Sequence, residues 1–185
     1  MPLRGRSLIR MPLAVWGMVV AHLGVAVALF GMSADSAFTV ERLVAANVGD
    51  SVEVGPWHAT LEEVDPVAGP NWTALEARIA VSYDGGNVQI MRPQSREFWA
   101  PVQQTNEAAL LTRWNGQLYG VIGEEGEDGR WQLRLWWKPF VTWIWYGGAL
   151  IALGGLLSLI GRVGSDMKRH RAQRKIARRK GEVEA

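Results

Sequence analysis

Hydrophobic positions form two long uninterrupted runs, one towards each end of the chain, and an alternating pattern between them. The first run covers residues 13–32 and holds one ionisable side chain, His22. The second covers residues 139–161 and is uncharged from residue 140 to residue 160. About twenty residues, at a helical rise of about 1.5 Å each, span the roughly 30 Å hydrocarbon core of a bilayer. Both runs therefore predict transmembrane helices.

Apolar and polar residues alternate in the central segment, as they do in half-buried β-strands. The alternating stretches are residues 51–54, 77–83, 88–92, 118–122 and 131–137. Asp-Gly-Gly-Asn at 84–87 predicts a hairpin turn, and residues 123–129 predict a second one. We expect two transmembrane helices flanking a compact antiparallel β domain, a small sandwich or a partly open barrel. Residues 65–72 and 94–106 are predicted to be loops, and residues 108–113 one or two helical turns.

Small residues recur along both apolar runs. The first run carries them three or four positions apart, and the second carries glycines every seven: Ala14, Gly17, Ala21, Gly24, Ala28 and Gly31, then Gly147, Gly154 and Gly161. Such stripes allow helix backbones to approach closely. We expect these helices to pack against each other or against helices of a partner.

Aromatic residues cluster where the second run begins: Trp136, Trp137, Trp143, Trp145 and Tyr146. Lys138 and Pro139 lie at the same place. Tryptophan and tyrosine are enriched where helices cross the membrane surface. We interpret the cluster as an interfacial belt rather than as part of a protein core.

Charge is strongly segregated along the chain. Residues 1–12 hold three arginines and no acid, residues 33–138 carry a net charge of −7, and residues 162–185 carry +6. The positive-inside rule predicts cytoplasmic termini and a periplasmic centre in a bacterial inner membrane. The predicted segments are a basic lead-in (1–12), a span (13–32), the β domain (33–138), a span (139–161) and a basic tail (162–185). Cleavage of the first run as a signal peptide is disfavoured by its length.

Cysteine is absent, which excludes disulfides, thiolate metal sites, a cysteine nucleophile and covalent haem attachment through a CxxCH motif. His22 is the principal candidate site residue. A titratable ring inside a span usually faces protein, a cavity or a ligand, and imidazole is a common ligand of metals and of haem iron. At about 100° per residue, His22 points away from the small-residue stripe. The alternative is a structural histidine bonded to another helix.

Other polar residues are interpreted as surface positions. His58 is expected to be a lone surface histidine, and His170 a residue of the basic tail. The acids Glu62, Glu63 and Asp65 lack the spacing of a calcium loop, and Glu124, Glu125, Glu127 and Asp128 are typical of a solvent-exposed turn. The tail is expected to meet anionic lipid headgroups, and no motif indicates a nucleic-acid partner.

Three segments together resemble one known family. They are Trp16-Gly-Met-x-x-Ala-His22-Leu-Gly-Val-Ala-Val, Pro101-Val-Gln-Gln104 followed by Glu107-Ala-Ala, and Asp128-Gly-Arg-Trp-Gln-Leu-Arg-Leu-Trp-Trp-Lys-Pro-Phe-Val-Thr-Trp-Ile-Trp145 with the glycine-rich run that follows. In this order they are similar to the last helices and last periplasmic domain of the CcmF/NrfE family, the haem lyase component of bacterial cytochrome c maturation. The likeness extends over residues 8 to 160.

The resemblance implies a role in c-type cytochrome biogenesis. In this family haem arrives from the haem chaperone CcmE, a CcmH-type protein presents the apocytochrome, and the haem vinyl groups are joined to the cysteines of a CxxCH site. The family also holds a b-type haem in the membrane between two histidines, and His22 matches the second of them. The first histidine has no counterpart in this chain.

The chain also departs from the family pattern. The family's tryptophan-rich periplasmic motif, its two external haem-ligand histidines and most of its helices have no match here. The chain is therefore expected to correspond to the C-terminal quarter of CcmF, as a split-gene product or a fragment. It would require the remaining CcmF helices or an N-terminal CcmF-like subunit for haem binding and ligation. The alternative hypothesis is a non-enzymatic two-span scaffold that docks partners through its β domain.

Overall fold

The computed structural model of the protein describes residues 11–183, with side chains through residue 174. Most of the predicted basic lead-in and the end of the basic tail lie outside the described side chains. The elements follow the order α1 (Leu13–Phe38), β1 (Val40–Ala46), β2 (Ser51–Val54), β3 (Trp57–Ala68), β4 (Trp72–Tyr83), β5 (Gln89–Met91), β6 (Gln94–Trp99), β7 (Val102–Glu107), β8 (Ala109–Arg113), β9 (Gly116–Glu125), β10 (Trp131–Pro139) and α2 (Trp143–Val183). They form a helix pair and a β unit, the latter comprising Gly31–Trp143.

The two helices pack through their small-residue stripes, which confirms the first of the two predicted arrangements. A Cβ atom added to Gly154 would lie 2.4 Å from the backbone nitrogen of Ala21 and 2.6 Å from the backbone oxygen of Gly17. Gly147 meets Gly24 and Ala28 in the same way. The sequence order of these contacts is reversed between the helices, so α1 and α2 run antiparallel. Both are long and apolar enough to cross a membrane.

The β unit is a sandwich of two antiparallel sheets. One sheet has the strand order β1-β10-β9-β8, and the other has β2-β3-β4-β6-β7 with β5 paired to β4. Inward-facing residues of both sheets form one core: Ala46, Val54, Trp57, Ala59, Leu61, Ala77, Ile79, Val81, Met91, Leu118, Ile122, Leu133, Leu135 and Trp137. This architecture confirms the predicted fold class of two apolar helices flanking an antiparallel sandwich.

Both predicted hairpins are present. Ile79 pairs with Met91 across the turn at 84–87, where Asp84 and Gly85 have φ values of 47° and 69°. Aspartate and glycine tolerate this left-handed conformation, which matches the twist of the flanking strands. Leu135 pairs with Gly120 in the second hairpin.

Three local predictions were wrong. Residues 94–106 are not a loop, because β6 and β7 pair there from Gln94↔Glu107 to Trp99↔Val102. Residues 65–72 are mostly strand, since β3 continues to residue 68 and β4 begins at residue 72. Residues 108–113 are not helical, because residues 109–113 form β8 and pair with β9. In each case hydrogen bonding to a neighbouring strand overrides a weak local signal.

The assignment of Trp137 to a membrane belt was also wrong. Its side chain is 5% exposed, and it packs against Trp57 and Tyr83 with ring centroids 6.0 Å away in both cases. Trp136 points to the other face of β10, where the guanidinium of Arg134 lies 4.6 Å from its ring. The alternation of β10 continues through both tryptophans to Pro139, so these residues belong to the sandwich.

The chain enters and leaves the sandwich at the same end. Val40, the first residue of β1, pairs with Trp137 near the end of β10. Lys138 forms an ion pair with Asp35, with 3.4 Å between Nζ and Oδ1. The hydroxyl of Thr39 donates a hydrogen bond of 2.6 Å to the Asp35 carbonyl. We call this end, which includes the β8–β9 turn at 114–115, the entry end.

The glycine contacts predict a position-specific effect of added methyl groups. Gly154→Ala should destabilise the helix pair by about 1–3 kcal/mol, because the new Cβ overlaps the backbone of α1. Gly155→Ala is the control, since a Cβ there has nothing within 4 Å. Unfolding of the chain in detergent micelles, followed by far-UV circular dichroism, compares the two. Equal effects would contradict the packing.

The aromatic core predicts that the two adjacent tryptophans of β10 differ. Trp137→Ala should cost about 3–5 kcal/mol, as expected for truncation of a fully enclosed aromatic side chain. Trp136→Ala should cost much less, because its ring is half-buried on the outer face. Urea unfolding followed by near-UV circular dichroism measures both. A larger loss of stability in Trp136→Ala than in Trp137→Ala would contradict the burial of Trp137 in the sandwich core.

Candidate functional site

The imidazole of His22 is oriented by the backbone of its own helix. Its Nδ1 atom lies 2.8 Å from the carbonyl oxygen of Met18, one turn earlier in α1. A carbonyl oxygen only accepts hydrogen bonds, so Nδ1 must carry the hydrogen. In the neutral ring, Nε2 then has a free lone pair. A histidine that binds a metal usually has its other ring nitrogen bonded to a carbonyl or carboxylate in this way.

The His22 ring lies on the outer side of the helix pair. Gly17 and Gly24 of α1 contact the backbone of α2, whereas His22 is exposed. Its neighbours on this face are apolar and also exposed, including Met18 at 52% and Val25 at 45%. The helix therefore has one face that packs closely and another that presents an imidazole among aliphatic side chains, as the angular spacing predicts.

The described side chains provide no complete metal centre around His22. Among residues 11–174, no group of three or more histidine, cysteine, aspartate or glutamate side chains is placed to hold a metal ion. His58 is exposed on β3, and His170 is exposed on α2. A metal held by His22 therefore requires further ligands from another polypeptide or from the metal's own macrocycle.

Several acidic residues of the sandwich have a close basic or amide partner. Glu62 lies 3.0 Å from Arg78, and the hydrogen bonds from Arg130 lower the pKa of Asp128. The pKa of Glu76 is lowered chiefly by a hydrogen bond from Gln94, with a second contribution from Arg92. These contacts stabilise the turns and strands in which the acids lie.

A cleft with both polar and apolar walls was not predicted from the sequence. It has a volume of about 300 Å³ and lies between β6–β7 and the end of β9, where Ser95, Gln104 and Glu124 contribute to its walls. The Gln104 amide is 3.5 Å from the Glu124 carboxylate across the gap. The cleft went unrecognised because it depends on β6 and β7, which were interpreted as a loop.

Comparison with known proteins identifies the family to which the chain belongs. Residues 37–139, more than half of the chain, match the family model described as the CcmF C-terminal beta-sandwich. The chain belongs to the CcmF family. The matched region begins near the end of α1 and ends with β10, so it coincides with the sandwich described above.

Curated relatives of the CcmF family extend the similarity to the helices. The chain is 42% identical over 144 residues to the cytochrome c-type biogenesis protein CcmF of Escherichia coli K12, covering 78% of this chain and 22% of that protein. It is 38% identical over 155 residues to the cytochrome c-type biogenesis protein ccl1 of Rhodobacter capsulatus, covering 84% of this chain and 24% of the relative. The chain thus spans roughly a quarter or less of the length of these relatives.

A solved structure confirms the fold. The structure named Cytochrome c Heme Lyase CcmF superposes with a TM-score of 0.65 at 24% sequence identity, covering 77% of this chain and 24% of that chain. The family membership and the two apolar helices together indicate an inner-membrane protein. The predicted resemblance to the CcmF family is therefore confirmed.

The hydrogen bond to Met18 predicts one tautomer of His22. Nitrogen-15 NMR of the chain in micelles should show Nδ1 protonated and Nε2 unprotonated. The assignment is practical because the chain has three histidines, and a His58→Gln, His170→Gln double variant leaves only the His22 signals. A ring protonated at Nε2 would contradict the geometry.

Proposed function

We propose that this chain supplies the last two membrane helices and the periplasmic sandwich of a CcmF-type cytochrome c haem lyase. In that role it takes part in haem transfer and in thioether ligation of haem to the CxxCH site of apocytochrome c. The single observation that carries the site-specific part is the free Nε2 of His22, which faces outwards from an apolar helix. The relatives are named cytochrome c-type biogenesis proteins, which supports a role in this pathway.

His22 fits the role of an axial ligand to a b-type haem in the membrane. The carbonyl of Met18 fixes the ring through Nδ1, leaving the Nε2 lone pair to bind iron. Val19, Val25 and Leu29 lie on the same side of α1 with exposed side chains, and they provide the apolar surroundings that a porphyrin requires. When bound, such a haem supplies one-electron redox chemistry, tuned by its ligands and by the low dielectric of the site.

The second axial histidine must come from outside this chain. His58 lies on β3 of the sandwich, and His170 lies on α2 beyond the apolar run. We assign the second ligand to the remaining CcmF helices or to a CcmF-like N-terminal subunit. Such a partner would also cover the exposed apolar face around His22.

The remaining partners follow from the same assignment. The haem chaperone CcmE delivers haem, and a CcmH-type protein presents the apocytochrome. Both termini are cytoplasmic and the sandwich is periplasmic in this proposal, in agreement with net charges of +6 for residues 162–185 and −7 for residues 33–138. An orientation of this kind places the sandwich in the compartment where c-type cytochromes are assembled.

A two-span scaffold without a haem ligand is the second candidate. It is favoured by the same hydrogen bond, because an imidazole bonded to the Met18 carbonyl already has one polar atom satisfied. It is also favoured by the close contacts between the two helices, because their small-residue stripes pack against each other. In that case the sandwich alone would bind partners.

His22→Ala in the assembled membrane complex tests the ligand assignment. The purified variant complex should lose the absorption spectrum of a bis-histidine low-spin haem, because one axial nitrogen is removed. His58→Ala is the matched control and should leave the spectrum unchanged. An unaltered spectrum in His22→Ala would contradict the assignment. Continued cytochrome c maturation by such a variant would favour the scaffold.

A further inference from the structure

The β8–β9 turn carries an exposed tryptophan whose backbone is firmly held. The indole of Trp114 is 65% exposed. Its carbonyl oxygen accepts two hydrogen bonds of 3.1 Å, from the Thr142 hydroxyl and from Nε1 of Trp143. The next carbonyl, that of Asn115, accepts a 2.7 Å hydrogen bond from the Phe140 amide. The turn is therefore attached at three points to the segment that leads into α2.

These hydrogen bonds hold Trp114 next to the segment that connects β10 to the second apolar helix. Trp143 is the first residue of α2 and also the last residue of the β unit. It is followed by the apolar run of the second span. Because the Trp114 carbonyl bonds directly to Trp143, the turn is held beside the residue after which this span continues.

The entry end of the sandwich exposes further apolar side chains. Val88 follows the β4–β5 turn and is 65% exposed, and Phe38 at the end of α1 is 63% exposed. Both lie at the entry end: β4 ends at Tyr83, whose hydroxyl accepts a hydrogen bond from Asn115, and Phe38 lies two residues before Val40. Trp114 is thus part of a group of exposed apolar residues at this end.

Acidic residues concentrate at the opposite end of the sandwich. The turn after β1 contains Asp50, and the β9–β10 turn and its flanks contain Glu124, Glu125, Glu127 and Asp128. Anionic phospholipids repel carboxylates within about a Debye length, roughly 8 Å at physiological salt. Beside Trp114, in contrast, lies Arg113, whose guanidinium is 4.3 Å from the Tyr83 ring. The entry end itself carries Asp84 in the β4–β5 turn and Asp35, which is paired with Lys138. With fewer turn carboxylates there than at the opposite end, the charge distribution favours contact between the entry end and a membrane surface.

We propose that the β8–β9 turn is a lipid-contact site, with the indole of Trp114 inserted in the headgroup region of the outer leaflet. An indole combines a large apolar body with one N–H donor, which suits it to the boundary between water and hydrocarbon. The sandwich is then attached to the bilayer by this turn in addition to its two helices.

The exposure of the indole distinguishes this role from a structural one. Trp57 and Trp137 are 1% and 5% exposed and fill the core, whereas the hydrogen bonds of Trp114 all use its backbone carbonyl. Any residue at this position provides the same carbonyl. A tryptophan side chain is therefore not needed to form the turn.

The chain supplies a matched control for the experiment. Trp99 is also exposed, at 54%, and lies next to a hairpin turn, at the end of β6. Its amide bonds to the carbonyl of Asn71, in the turn between β3 and β4 at the end away from the entry end. Because the chain contains no cysteine, Trp114→Cys and Trp99→Cys each create a unique attachment point for a nitroxide label.

The labelled full chain is reconstituted in vesicles of phosphatidylethanolamine and phosphatidylglycerol. Power-saturation EPR then compares the accessibility of each label to oxygen, which enters lipid, and to a water-soluble nickel chelate. The label at 114 should be several-fold more accessible to oxygen than to nickel, and the label at 99 should show the reverse. Equal nickel accessibility at both positions would overturn the proposal. Shielding of the 114 label from both reagents would also overturn it, because protein would then cover the turn.

Native fluorescence gives a second measurement without a label. Phospholipids carrying a nitroxide near the headgroup should quench part of the tryptophan emission. Trp114→Phe should reduce the quenchable fraction, whereas Trp99→Phe should leave it unchanged. Near-UV circular dichroism confirms that the aromatic core is intact in both variants. Equal reductions in the two variants would contradict lipid contact at Trp114.

Discussion

Close backbone contact between α1 and α2 is the constraint on which the membrane part depends. Glycine at positions 17, 24, 147 and 154 allows each backbone to lie where a side chain would otherwise be. Once one face of α1 is committed to this contact, the position of His22 on the other face is fixed by the helical period. The packing of the α1 glycines against α2 therefore directs His22 outwards, although His22 is not part of that contact.

Two neighbouring strands connect the sandwich to the helices along the chain. β1 follows α1, β10 precedes α2, and the two strands pair over seven residues. The ion pair of Lys138 with Asp35 joins residues that are 103 positions apart in the sequence. Pairing of these distant segments brings both helix connections to one end of the β unit. The same end carries the exposed side chains of Trp114 and Val88, while most of the turn carboxylates lie at the other.

The sequence predicted the features that repeat with a regular period. Helical spacing identified the glycine stripes and the direction of His22, and alternation with an Asp-Gly turn identified the β4–β5 hairpin. β6 and β7 were missed because few of their side chains are buried, so no alternation marks them. Trp137 was misassigned because hydropathy does not distinguish the last residues of a core strand from the start of a span. The Nδ1 hydrogen bond of His22 depends on a side-chain rotamer, which the sequence does not specify.

The partner of His22 is a main-chain atom, and this affects how the site can evolve. The residue at position 18 can be substituted without losing this contact, because leucine, isoleucine or alanine would present the same carbonyl oxygen. No second residue has to change in step with the histidine to keep its ring oriented. Covariation between positions would therefore not detect the contact that places the proton of this imidazole on Nδ1.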